Sequence, residues 1–285
     1  MDTKFPRTQV GGISISRMII GTNWFLGFSH TSRAKDRYIT ENIGTRDKIA
    51  DILEVFLNYG IDTVIAPPRD LLLQAIDEAQ SRTGKKIILI STPAFPVNKD
   101  TPVAGFCNDE TRRILEQEAK AGAAICMPHQ CTTDAMVDRT SRTIRQIDSL
   151  MKLIRQFGMV PGLSTHMPET IVYADETNVD TETYIAIFNS MGFLMQIEVD
   201  WVARIIQNAK KPVLTIKPLA SGQLRPLQGL TFVWNNIRQQ DMVAIGVMSP
   251  DEAKEIIEIS FSILEKRPPD YQLQETRSKK SVKKN

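Results

Sequence analysis

What most limits the folds open to this chain is an alternation that runs along nearly its whole length. Short β-branched or apolar runs occur at RMIIGT (17–22), DTVIAP (62–67), KKIILIST (85–92) and AAICMP (123–128). Four more follow at VPGLST (160–165), FLMQIEV (193–199), PVLTIKPL (212–219) and MVAIGV (242–247). Between them lie amphipathic stretches of helical length, among them TRDKIADILEVFLNYG, NDETRRILEQEAKAG, TSRTIRQIDSLMKLIRQFG and SPDEAKEIIEISFSILEK. Asn108 and Ser249 stand as N-caps, the second followed by Pro250 at the first helical position. Gly60, Gly122 and Gly158 stand where helices end. Strands that alternate with helices pair in parallel, and eight such units predict an α/β fold of the (β/α)8 TIM-barrel type. An open doubly wound sheet is the weaker reading, because no G-x-G-x-x-G follows the first run. Ahead of the first strand, TQVGGISIS reads as an N-terminal β-hairpin that plugs the bottom of the barrel.

A chain of 285 residues with 42% hydrophobic and 24% charged residues can bury a large core without disulfides. Residues 1–265 are read as one barrel domain. The last twenty residues, 266–285, are polar and lysine-rich without apolar periodicity, and are expected to be a basic, disordered tail. A net charge of +2 offers no field for nucleic acid, and basic patches with interleaved aromatics are absent. No apolar run approaches the roughly 20 residues of a membrane helix. The N-terminus has no signal-peptide core, and three irregularly spaced cysteines suit a reducing compartment. The expected setting is therefore cytoplasmic, with a small-molecule substrate and neither nucleic acid nor membrane as partner.

In such a barrel the chemistry sits at the C-terminal ends of the strands. All three histidines fall there: His30 in the loop after the first run, His129 ending the fourth and His166 following the fifth. The inventory of that face also holds Asp62, Cys107, Cys131, Glu169, Glu198 and Lys217. Imidazole, thiolate and carboxylate together make a zinc-type ligand set of His129, His166, Glu198 and Cys131. Against it stands the lack of any H-E-x-x-H or C-x-x-C spacing. Lys217 ends the seventh run, where a desolvated amine either forms a Schiff base or binds an anionic substrate; simple contact with substrate or cofactor is the plainer reading. A Cys/His nucleophile pair of Cys107 or Cys131 with His129 lacks any local oxyanion hole. Trp24 and Phe25 offer an apolar wall beside the mouth, whereas Cys126 inside an apolar strand reads as core.

Taken in order, GGISISRMIIGTNWFLG, LNYGIDTVIAPPRDLLLQAI, AICMPHQ, GLSTHMPETI, MQIEVDW, TIKPLASGQL and MVAIGVMSPDEAKEI resemble successive units of the aldo-keto reductase superfamily, up to about Leu264. The resemblance implies a barrel that passes a hydride from NAD(P) to a carbonyl, with a tyrosine acid tuned by lysine, aspartate and histidine. It carries the aspartate to Asp62 and the histidine to His129, but Pro67 stands at the tyrosine position and Pro93 at the lysine position. Proline has neither a proton to donate nor a charge to tune one. For the cofactor, Ser164 and Gln196 match residues that hold the carboxamide, and Thr165 replaces an asparagine. In the last loop, which carries Ser249, Glu252 stands where an arginine is often found, which disfavours a 2′-phosphate. The expectation is a small-molecule enzyme at the barrel mouth that works without the usual tetrad. It uses Asp62, His129, Lys217 and Glu198, with Trp24, Ser164, Gln196 and Ser249 binding substrate or cofactor. Its chemistry is isomerase, lyase or hydrolase action on a polar carbonyl or hydroxyl compound, with or without a divalent metal. The alternatives are a divergent NAD(P)-dependent oxidoreductase and a non-catalytic ligand-binding barrel.

Overall fold

The computed structural model describes residues 4–97, 108–271 and 273–282. The hairpin pairs Arg7–Val10 with Ile13–Ser16 and turns at Gly11 and Gly12, whose φ values of +54° and +83° suit residues without a Cβ. Beyond it, the strands Met18–Gly21, Thr63–Ala66, Ile88–Ser91 and Ala123–Cys126 line up in parallel. The fifth strand comes in two pieces. Val160–Pro161 pairs with the fourth strand, and Leu163–Ser164 pairs with the sixth, Tyr184–Ile187. Val213–Ile216 and Met242–Ile245 follow, and Val243 meets Met18 to close the ring. Eight parallel strands thus form a barrel, with helices in the connections.

Seven of the eight expected strands lie within the runs read from sequence, and one does not. The 193–199 segment is not the sixth strand. It turns through Leu194 at φ +57°, leaves Leu194 and Ile197 exposed, and enters the helix Val199–Asn208 with Glu198 as its N-cap. The true strand, Tyr184–Ile187, is buried at every position, as a parallel strand covered on both faces must be. A run that mixes apolar with polar and charged residues, such as MQIEV, cannot fill that place.

Among the described residues, the side chains gather into two apolar clusters. Inside the barrel Ile19, Ile90, Ile125, Ile185 and Leu214 meet Val10 and Ile15 from the hairpin, which is how the hairpin plugs the bottom. The larger cluster, including Met18, Ile20, Leu53, Phe56, Leu150, Ile154, Val202 and Ile257, lies between strands and helices. Neighbours in one strand, such as Ile19 and Ile20, therefore face opposite cores. Beyond the helix Pro250–Leu264, the chain is held by Arg267 and the Asp270 backbone N–H on Glu258, and Tyr271 packs on the outer core. Arg277–Lys280 forms one exposed helical turn. Among the described residues, no helix is long and apolar enough to cross a membrane.

Candidate active site at the barrel mouth

Lys217 is the first residue after the seventh strand, and it sits in the left-handed region at φ +60°. Ala220 and Ser221 share that region just beyond it, at +47° and +60°. Non-glycine residues held this way each cost about 1–3 kcal/mol and persist only where surrounding contacts enforce them. Here the Ala220 N–H donates to Lys217 O over 3.0 Å, and the Ser221 hydroxyl donates to Ser29 O in the loop after the first strand. The two loops are thereby tied across the mouth. Trp24 stands against Gly222 in the same place, with the Lys35 ammonium 5.3 Å from its ring centre. Burial pushes the half-buried Lys217 amine down to about 8, and no carboxylate among the described residues holds it charged.

The three histidines gather around this amine. His129 follows the fourth strand, and its N–H donates to Pro93 O over 2.8 Å. Its Nδ1 accepts from the Cys131 backbone N–H and lies 3.0 Å from Cys131 Sγ. An Nδ1 that accepts from an amide leaves the proton of the neutral ring on Nε2. Burial, then the charge of Lys217, lowers the His129 pKa. His166 is placed by Asp134, whose carboxylate accepts from the His166 N–H at 3.0 Å and from the Thr165 hydroxyl at 2.5 Å. Burial, followed by Lys217, His129 and His30, pushes His166 down to about 4. His30 lies within 2.8 Å of Asn23 Nδ2, and burial and Lys217 lower it against the opposing pull of Asp36. Near pH 7 the mouth therefore presents neutral imidazoles around an amine near its own titration point. Groups poised this way can pass protons and attack or polarise a carbonyl.

A pH dependence follows from His166. The folded ring resists the proton that the unfolded chain accepts below the ordinary imidazole range, so stability is lost as pH falls from about 6.5 toward about 4. A histidine NMR titration is expected to place the His166 midpoint near 4, and His166→Phe should flatten that part of the stability profile. A midpoint near 6.5 would show that the ring is not in this environment.

Several residues chosen from sequence lie elsewhere. Asp62 is not at the mouth: it precedes the second strand, Thr63–Ala66, and pairs with Arg7 of the hairpin at 2.8 Å. The run VIA comes after Asp-Thr and not before it, so this aspartate opens the strand at the bottom of the barrel, at the other end from His129. Gln196 and Glu198 lie exposed on the loop after the sixth strand, because the strand they were assigned to is Tyr184–Ile187. The proposed metal set of His129, His166, Glu198 and Cys131 is accordingly not assembled. Among the described residues, no three His, Cys, Asp or Glu side chains stand together to hold a metal ion. Cys131 is exposed against His129, and Glu169 pairs with Arg139 at 2.7 Å. Cys126 is core, its thiol pushed up to about 12 by burial, and Cys107 lies outside the described residues. Asp134 escaped the sequence reading; no motif marks it, and only the neighbouring ends of the fourth and fifth strands bring it to His166.

The residues expected to hold a dinucleotide fare unevenly. Ser164 is buried at the end of the fifth strand. Ser249 Oγ accepts from the Glu252 N–H at 3.1 Å, while Glu252 Oε2 accepts from the Met248 N–H at 2.8 Å. This reciprocal cap puts a carboxylate at the helix N-terminus that would have to receive a phosphate. With Gln196 exposed as well, the set does not fit a dinucleotide phosphate at the start of the helix Pro250–Leu264. An open groove lined by Thr8, Gln9, Pro212 and Arg238 lies at the bottom of the barrel, at the other end from the histidines and Lys217. The cleft beside the chemistry is narrow, between Thr165, His166, Pro168, Ala186, Ile187 and Met195.

No protein-family model matches the chain, and no curated protein does. Solved structures do. A structure from Pseudomonas aeruginosa described as an aldo-keto reductase is 17% identical, covers 93% of this chain and 98% of its own, and superposes with a TM-score of 0.65. An aldo-keto reductase from Bacillus halodurans in holo form is 14% identical, with 95% and 99% covered and a TM-score of 0.55. An aldose reductase from Giardia lamblia is 11% identical, with 97% and 91% covered and a TM-score of 0.51. Together with the closed ring of eight strands and the hairpin beneath it, this agreement over nearly the full length gives the chain the fold of the aldo-keto reductases.

Proposed function

We propose that this chain is a small-molecule enzyme acting at the C-terminal mouth of its barrel on a polar carbonyl or hydroxyl compound. Its working groups are His129, His166 and Lys217. One observation carries the reading: three imidazoles and a lysine amine converge there, and the amine has no carboxylate partner among the described residues. Isomerase and lyase reactions move a proton between carbon and oxygen while charge builds on oxygen. A neutral imidazole supplies the proton transfer, and an ammonium or Nε2–H steadies the oxygen. Asp62 and Glu198 have no part in this reading, and neither has a metal.

A second reading, a nicotinamide-dependent oxidoreductase, is favoured by the shared fold and by Ser164 at the strand end. One titration series separates the two, with glycolaldehyde and the phosphorylated and unphosphorylated nicotinamide dinucleotides followed by histidine side-chain NMR. Glycolaldehyde is expected to shift His129 and His166, and Lys217→Met to weaken its binding at least tenfold, since a hydrogen bond to a charged group is worth about 1.5–3 kcal/mol. Silent imidazoles would sink the first reading. Submicromolar binding of the phosphorylated dinucleotide would favour the second.

A further inference from the structure

We propose that the Lys217 amine forms a covalent imine with the carbonyl carbon of a small aldehyde or ketone at the barrel mouth. The inference rests on the mouth being the working site, and goes beyond it by naming the nucleophile, the bond and the substrate class.

Three observations on different residues support it. The first is position: Lys217 ends a barrel strand in a left-handed conformation, in a loop fastened across the mouth by Ser221 on Ser29. The second is the missing counter-charge. Lys120 pairs with Glu116 and Lys211 with Glu182, whereas the half-buried Lys217 has no carboxylate partner among the described residues. An ammonium left this way loses its proton readily, and with the amine near 8 about a tenth of it is the free nucleophile at pH 7. The third is the surroundings. His129, with its proton on Nε2, and His166, which stays neutral near pH 7, are the donor and acceptor that imine formation requires.

The step balances without any further reactant. The nitrogen lone pair attacks the carbonyl carbon, and the C=O π pair moves to oxygen, which takes a proton from His129. The nitrogen gives a proton to His166. The carbinolamine hydroxyl then leaves as water with the proton returned by His166, the nitrogen lone pair closes the C=N bond, and the second nitrogen proton restores the one that His129 gave up. Amine and carbonyl become imine and water, with no change of oxidation state. A protonated imine draws electrons from the adjacent carbon, so the bond next to it can break, which makes a lyase or an isomerase of the site.

Trapping tests the proposal. The full chain is incubated at pH 7 with glycolaldehyde and cyanoborohydride, whose hydride reduces an imine to a stable secondary amine, and adducts are mapped by mass spectrometry. Lys217 is expected to gain the adduct at least tenfold faster than the exposed Lys120 and Lys254. Denaturation should erase that preference, and Lys217→Arg, with its fold checked by circular dichroism, should yield no adduct at that position. Labelling of Lys217 no faster than Lys120, in protein whose His166 resonance still shifts with glycolaldehyde, overturns the imine and leaves the mouth as the site. Absence of both labelling and shift overturns both.

Discussion

Replacing Asp241 with alanine is expected to destabilise the protein by about 3–5 kcal/mol, the usual cost of removing one partner from a buried ion pair. Its side chain is fully buried immediately before the eighth strand. The carboxylate accepts from Arg238 Nη2 at 2.7 Å and Nε at 2.9 Å, from the Arg238 backbone N–H at 2.8 Å, and from the Val213 N–H at 2.8 Å. Its own carbonyl takes Arg17 Nε at 2.9 Å, and Arg238 reaches on to the carbonyls of Ala209 and Lys211. The Asp241 carboxylate thus ties the seventh strand to the eighth, and its backbone carbonyl ties in the start of the first, at the bottom of the barrel. Alanine would strand the Val213 and Arg238 backbone N–H groups and leave Arg238 and the half-desolvated Arg17 without their counter-charge. Asp241→Asn keeps the shape and some of the hydrogen bonds, and should fall between wild type and alanine. Urea unfolding measures all three, and a loss below about 1 kcal/mol in the alanine variant would mean that the network does not hold the barrel closed.

Gly162→Val is expected to have an effect of similar size for a different reason. Gly162 divides the fifth strand, and a Cβ there would lie 2.8 Å from both Met127 Cγ and Cε and 2.9 Å from Thr183 Cγ2. Met127 is fully buried and Thr183 nearly so, leaving little room for either to move. Overpacking of this kind costs about 1–3 kcal/mol for modest additions, and valine adds two methyl groups beyond the first clash. Alanine should cost less than valine. Met127→Ala combined with Gly162→Val should recover part of the loss, because the cavity made by one change receives the atoms added by the other. Purely additive effects in that double variant would show that the contact with Met127 is not the cause.

The architecture was legible because it depends on local signals repeated many times. A buried parallel strand needs a short apolar run, and a covering helix needs apolar residues every three to four positions. The caps at Asn108 and Ser249 bind the N–H groups of Thr111 and Glu252, as their residue types imply. The left-handed glycines at 60, 122 and 158 end their helices for an equally local reason. The sixth strand was misplaced where two apolar segments competed. YIAI and FLMQIEV both suit a strand locally, and only packing decides that the fully apolar one is enclosed between two neighbours while the mixed one turns outward.

The site divides along the same line. From the order of strands alone, His30, His129, His166 and Lys217 belong to loops at one end of the barrel, and that much the chain itself determined. Asp62 shows the limit: a shift of a few residues in where a strand begins sends a side chain from the mouth to the bottom, where Arg7 claims it. Whether Glu198 joins the histidines, whether Asp134 anchors His166, and whether Lys217 meets a carboxylate are matters of contact between segments far apart in the chain. Local sequence carries no record of such distances. The closing of the ring sets them, because it brings the ends of separate strands side by side and decides which side chains share a space too small for water to screen their charge.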